Sequence, residues 1–172
     1  MDGRKRWVRG FLFGVCHPIP GVMVQDVHVA PFTSVLQPDQ HLVKEILDEL
    51  ELDPAFDSEG DLAITTPPLT IYFLFGSAGD MFTVRTFYTR RYSVDDKRIL
   101  LAALNEWNAD NMWPKVYTFT RDNGITRVVG DCDLYIGAGV TREHLTTVIT
   151  HWVRFAIKFH RWLTDRLAYQ LD

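Results

Sequence analysis

The chain has 172 residues, 47% of them hydrophobic and 23% charged, the balance of a soluble globular domain with enough length to bury a real core. Its formal net charge of -4 and pI near 5.8 do not favour a nucleic-acid backbone as partner. Two cysteines, Cys16 and Cys132, are too few for a disulfide scaffold and lack the spacing of a zinc site, so a cytoplasmic protein without cofactor is expected.

Residues 1–37 read as an irregular N-terminal arm. Arg4, Lys5 and Arg6 precede a short apolar run, but Arg9 interrupts it and Pro18 and Pro20 follow at once, which argues against an export signal. Within the arm, 22–30 (VMVQDVHVA) alternates weakly and could add an edge strand, and Trp7, Phe11 and Phe13 form an apolar cluster that calls for a packing surface. A domain over 38–172 follows.

Leu42, Ile46, Leu47 and Leu50 recur at helical spacing after Pro38-Asp39, and Asp53-Pro54 is the expected stop. The acidic run 48–61 lacks the ligand spacing and turn glycine of a calcium loop and reads as a solvated helix end. Strands are predicted at 61–65, 69–75 and 81–90. The second, LTIYFLF, is nearly continuously apolar, as a strand covered on both faces would be. Ser93, with Asp96 three residues on, is the expected cap of a second helix whose apolar face is Ile99, Leu100, Ala103, Leu104 and Trp107. Asp122-Asn123-Gly124 joins strands at 116–121 and 125–136 into a hairpin. Thr141 caps the last and longest helix, whose apolar stripe runs from Leu145 to Leu167. The order α-β-β-β-α-β-β-α, with hairpin connections, predicts an α+β fold: a five-stranded antiparallel sheet with packed helices.

Several spaced motifs fall in order along this scaffold: Leu104-Asn105-Glu106-Trp107-Asn108, Trp113-Pro114-Lys115-Val116-Tyr117, Asp133-Leu134, and Gly139-Val140-Thr141. By them the chain, over about residues 40–168, resembles the YbjN family, bacterial proteins described as sensory transduction regulators. The resemblance implies a fold like that of type III secretion chaperones, small acidic proteins, usually homodimers, that hold extended client segments. It carries no catalytic residues over.

Candidate sites are few. Cys132 shares a strand face with Val128, Leu134 and Ile136, the setting of a buried structural thiol, while Asp131 and Asp133 point the other way, with a turn or cap role expected for Asp133. The six histidines are dispersed, and no metal site is expected. Gly137-Ala138-Gly139 reads as a strand-to-helix turn, not a dinucleotide fingerprint. His151, Arg154, Lys158 and Arg161 form a basic stripe opposite the apolar face of the last helix, and Trp113 stands at a corner before Pro114. Trp113, Arg154, Lys158 and Arg161 are therefore the candidate partner-binding residues. The expected function is a non-enzymatic protein-interaction module that binds a protein or peptide segment and forms a homodimer, with no membrane or nucleic-acid partner. The alternative is a ligand-sensing regulator holding a small molecule between sheet and helices.

Overall fold

The computed structural model describes residues 34–168. The possible edge strand at 22–30, the rest of the arm to residue 33, and Cys16 lie outside the described residues.

Helix α1 (Gln40–Glu49) starts where Asp39 Oδ1 accepts the Leu42 amide at 2.8 Å, and it buries Val43, Ile46 and Leu47. It stops earlier than Asp53-Pro54. The Leu52 amide donates to the Leu47 carbonyl and the Glu51 amide to the Asp48 carbonyl, each at 3.0 Å, a Schellman closure with Glu51 in the left-handed region at φ 58. Glutamate carries a Cβ penalty there that glycine avoids, of roughly 1–2 kcal/mol, against roughly 0.5–1 kcal/mol of extra chain entropy for glycine. Glu51→Gly is therefore expected to raise the free energy of unfolding by about 0.5–1 kcal/mol, read as a higher urea midpoint at unchanged slope.

Seven strands are seen among the described residues where five are expected. The five are β2 (Leu62–Thr66), β3 (Leu69–Phe75), β4 (Met81–Tyr88), β6 (Lys115–Thr120) and β7 (Ile125–Tyr135). The additions, β1 (Ala55–Phe56) and β5 (Tyr92–Ser93), are two residues each, too short to show any alternation. All pairs are antiparallel, in the order β1-β2-β3-β4-β7-β6, with β5 continuing the line of β4 along the same edge of β7. Phe87 faces Val129 and Tyr92 faces Thr126, an advance of five residues against three, so the chain bulges between β4 and β5.

Ser93 joins the sheet through that pairing and still makes the reciprocal bonds of the expected capping box, one turn ahead of the regular helix. Helix α2 (Lys97–Asp110) begins after Asp96, while Ser93 donates its amide to Asp96 Oδ2 at 3.1 Å and accepts the Asp95 amide on its Oγ at 3.1 Å. Helix α3 (Arg142–Leu167) begins as expected, with Thr141 Oγ1 accepting the His144 amide at 3.1 Å. No described helix is long and apolar enough to cross a membrane.

The three described helices pack on one face of the sheet. Leu62, Ile64, Ile71, Phe73, Phe82, Val84, Val128 and Cys132 meet Ile46, Leu104, Trp107, Ile149, Trp152, Phe159 and their neighbours in one contiguous core. The far side of β3 corrects a second expectation. Leu69, Ile71 and Phe73 are buried, but Thr70, Tyr72 and Leu74 on the other face are only half-buried. Their shelter comes from strand neighbours, such as the Phe87 ring edge-on to Tyr72 at 5.6 Å, and no described helix lies over them.

Candidate functional site

The stretch that carries the family motifs is a structural clamp between α2 and β6. Trp107 is 2% exposed, with its ring 5.0 Å from Phe159 and 5.3 Å from Trp162, and its Nε1 donates to the Pro114 carbonyl at 3.0 Å. Asn108 reaches the edge strand with both ends of its amide: Nδ2 donates to the Val116 carbonyl at 2.8 Å, and Oδ1 accepts the Val116 amide at 2.9 Å. Lys115 Nζ donates to the carbonyls of Asn108 and Asn111, both at 2.9 Å, placing a cation on the negative end of α2. Glu106 pairs with Arg166 of α3 at 2.9 Å. These contacts give the motif residues one shared structural role. They make a corner, and no reacting group is exposed by it.

Of the four candidate residues, three come together. Arg154, Lys158 and Arg161 are exposed along the outer side of α3, beside the exposed His151. Lys158 Nζ lies 5.6 Å from the centroid of the Trp107 ring, a cation–π contact that steadies it at the α2 flank. On the other flank Arg154 borders a shallow concavity lined by Leu50, Leu52, Val153 and Ile157. Trp113 is 37% exposed, but its ring packs 5.8 Å from Trp152, two residues and about 200° of helical turn from Arg154. The corner tryptophan thus stands away from the basic ridge.

The ridge differs from the basic groups at the two ends of α3 and from Lys44 of α1, whereas Lys97 and Arg98 of α2 share its lack of an ion pair among the described residues. Arg142 pairs with Glu45 and Glu49, Arg166 with Glu106, and Lys44 with Asp48. Among the described residues Arg154, Lys158 and Arg161 have no acidic partner within 4.0 Å. The neighbouring His160 is held below its ordinary pKa, first by burial and then by the Arg161 charge. A histidine depressed in the folded state contributes stability that is present above its unfolded pKa of about 6.5 and is lost as pH falls through the lower folded value.

The face of the sheet that no described helix covers holds groups that periodicity set outward without showing what they meet. Arg85 makes a two-pronged pair with Asp131, Nε to Oδ1 at 2.9 Å and Nη2 to Oδ2 at 2.8 Å, and Tyr117 donates its hydroxyl to Asp131 at 3.2 Å. The hydrogen bond to Asp131 raises the Arg85 pKa, and partial burial followed by the Asp131 charge raises that of Tyr117. Asp133 is neither in a turn nor at a cap: it accepts the Thr83 hydroxyl across the β4–β7 ladder at 2.6 Å. The signal available in the sequence was the outward phase of Arg85 and Asp131. Their pairing needed the strand register.

Cys132 is 2% exposed on the core face, and burial, with the Asp133 and Asp131 charges adding, pushes its thiol up to about 12. At pH 8 about one molecule in ten thousand would carry the thiolate. An aromatic disulfide reagent at that pH is expected to leave Cys132 untouched in the folded Cys16→Ser protein and to label it on denaturation. Labelling of the folded form within minutes would contradict the burial. Among the described residues no three His, Cys, Asp or Glu groups converge as metal ligands would. The space between sheet and helices is occupied by Phe73, Phe82, Leu104, Phe159 and the other core side chains.

The sequence matches the family model for YbjN, described as "putative bacterial sensory transduction regulator", over residues 39–165. The crystal structure of YbjN from E. coli, described as "a putative transcription regulator", aligns with a TM-score of 0.65 at 16% identity, over 80% of this chain and 98% of that one. An uncharacterized protein from Methanothermobacter thermautotrophicus gives a TM-score of 0.45 at 12% identity, over 74% and 97% of the two chains. No curated protein matches the sequence.

Proposed function

This chain belongs to the YbjN family, and on that premise we propose that it is a non-enzymatic regulator of the cytoplasm that docks an acidic segment of a protein partner along the outer ridge of α3. The observation that supports this reading is the contrast in pairing. Arg142 and Arg166 at the two ends of α3 are tied to glutamates of α1 and α2, while Arg154, Lys158 and Arg161 between them face solvent with no acidic partner among the described residues. Three like charges on one helix face repel one another by a few tenths of a kcal/mol per pair, which a partner carboxylate would offset. The flanking apolar concavity at Leu50, Leu52, Val153 and Ile157 gives such a segment something to bury beside the charges.

Exposed pairs of this kind contribute about 0.2–1 kcal/mol each, so the interaction is expected to be modest in affinity and sensitive to salt. The acidic 48–61 stretch of a second copy has the right charge, so the reading includes a homodimer as one form of the partner. The test is cross-linking capture of the tagged full chain from its native cells, beside light scattering of the purified protein. Arg154→Glu with Arg161→Glu is expected to reduce capture at least about ten-fold, with an unfolding midpoint within about 0.5 kcal/mol of the parent. Conversion of a dimer to a monomer by the same pair of substitutions would identify the partner as a second copy. Undiminished capture by the charge-reversed protein, with loss instead on Trp113→Ala, would move the surface to the corner at 111–114 and overturn the ridge.

A further inference from the structure

The face of the sheet that no described helix covers carries a second surface of different chemistry, on the opposite side from α3. It is an open concavity of about 410 Å3, in the size range of about 300–1,000 Å3 usual for small-molecule sites. Its floor is Tyr72 of β3 and Phe87 of β4, rings 5.6 Å apart and edge-on. On the β2 side stand Glu59 and Asp61; on the β7 side stand Arg121 and Arg127. Asp57 lines it too, but its Oδ1 is taken by the amides of Glu59 and Asp61, at 2.9 and 3.0 Å, and it serves to shape the turn. Arg85 at the floor is matched by Asp131.

Two observations point to a ligand. Arg127 Nε is buried and has no hydrogen-bond partner among the described residues, a state that costs about 1–3 kcal/mol and that the guanidinium would leave by turning outward onto a bound acceptor. The walls also have opposite signs across a strip of aromatic ring. A simple anion would meet Glu59 and Asp61, a simple cation would meet the two guanidinium groups, and each would lose on one side what it gained on the other. We infer that this concavity binds a small bipolar molecule with an apolar body, of the class of a short peptide with free ends: carboxylate on Arg127 and Arg121, ammonium towards Glu59 and Asp61, side chain over Tyr72 and Phe87. The Tyr72 hydroxyl already responds to the acidic wall, its pKa raised by burial first and then by Asp57, Asp61 and Glu59. This ligand site is independent of the ridge on α3, and neither depends on the other being right.

The experiment is amide-shift titration of the full chain with the dipeptide alanyl-phenylalanine, its C-terminal amide, its N-acetyl derivative and inorganic phosphate. Saturable shifts confined to β3, β4 and β7 are expected with the dipeptide, and each blocked derivative should bind at least about ten-fold more weakly. Arg127→Met and Asp61→Asn should each cost about ten-fold in dipeptide affinity without lowering the unfolding midpoint, and either variant suffices if the other fails to fold. Absence of saturation by the dipeptide, equal binding of the blocked forms, or phosphate binding as tight as the dipeptide would each overturn the inference. Binding only of long peptides would overturn it too, assigning the face to a protein strand.

Discussion

Trp107→Ala is expected to lower the free energy of unfolding by about 3–5 kcal/mol, a large share of the 5–15 kcal/mol typical of a domain. The indole is the piece of α2 that fills the gap between Phe159 and Trp162 of α3, and nothing nearby is free to collapse into its place. The substitution also leaves the carbonyl of Pro114, a buried residue, without its Nε1 donor. Trp107→Phe separates the two contributions: it keeps most of the ring volume and loses the donor, so a cost of about 1–2 kcal/mol is expected. Urea titrations of the three proteins at unchanged slope provide the check. A loss below about 1.5 kcal/mol for the alanine variant would mean that the corner is held by something other than this ring. Trp113, with more than a third of its surface in solvent, should cost well under half as much on the same change.

Asn108→Ala should cost about 2–3 kcal/mol and should also change the association state. Val116 is 4% exposed, and both its amide and its carbonyl bond to the Asn108 side chain. In the antiparallel ladder with β7 these two groups point away from β7, towards the edge of β6 that no described strand covers. Asn108 therefore imitates one residue of a neighbouring strand and closes that part of the edge. Removing it leaves two polar groups of the strand unpaired, each at about 1–3 kcal/mol, partly recovered by water entering the gap. It also lengthens the strip of edge available to another chain. Concentration-dependent light scattering is expected to show association in Asn108→Ala that the parent lacks at equal concentration, with a lowered urea midpoint. Asn108→Asp keeps the acceptor for the Val116 amide and loses the donor to its carbonyl, so it should fall between the two. A midpoint for the alanine variant within about 0.5 kcal/mol of the parent would contradict the clamp.

Much of the frame was legible without coordinates because it rests on local rules. Helical spacing of apolar residues, the helix start at Pro38-Asp39, the Thr141 cap and the Asp122-Asn123-Gly124 turn each involve residues a few positions apart, and each is where it was expected. The failures share a cause as well. Ser93 makes the reciprocal bonds expected of a helix cap but is also paired with Ile125, thirty-two positions away, and the regular helix begins only after Asp96. LTIYFLF is as apolar as a strand buried on both faces, yet its outer residues are sheltered by Phe87 and by the turn at 57–61. Strands of two residues, β1 and β5, leave no periodic trace at all.

The candidate sites divide the same way. The ridge of Arg154, Lys158 and Arg161 follows from the 3.6-residue period of one helix, so sequence alone places the three charges on one side. Their lack of acidic neighbours among the described residues, the distance of Trp113 from them, and the meeting of Glu59 and Asp61 with Arg121 and Arg127 over Tyr72 are properties of packing. By itself the sequence determined the family, the α+β class, the core-facing side of nearly every element and the inert setting of Cys132, because burial periodicity and capping are short-range. Tertiary structure alone decided which charges are neutralised, which face stays open and where a ligand would find both signs of charge. Those depend on strand register and on the side of the sheet each helix takes, and they join residues that no local pattern connects.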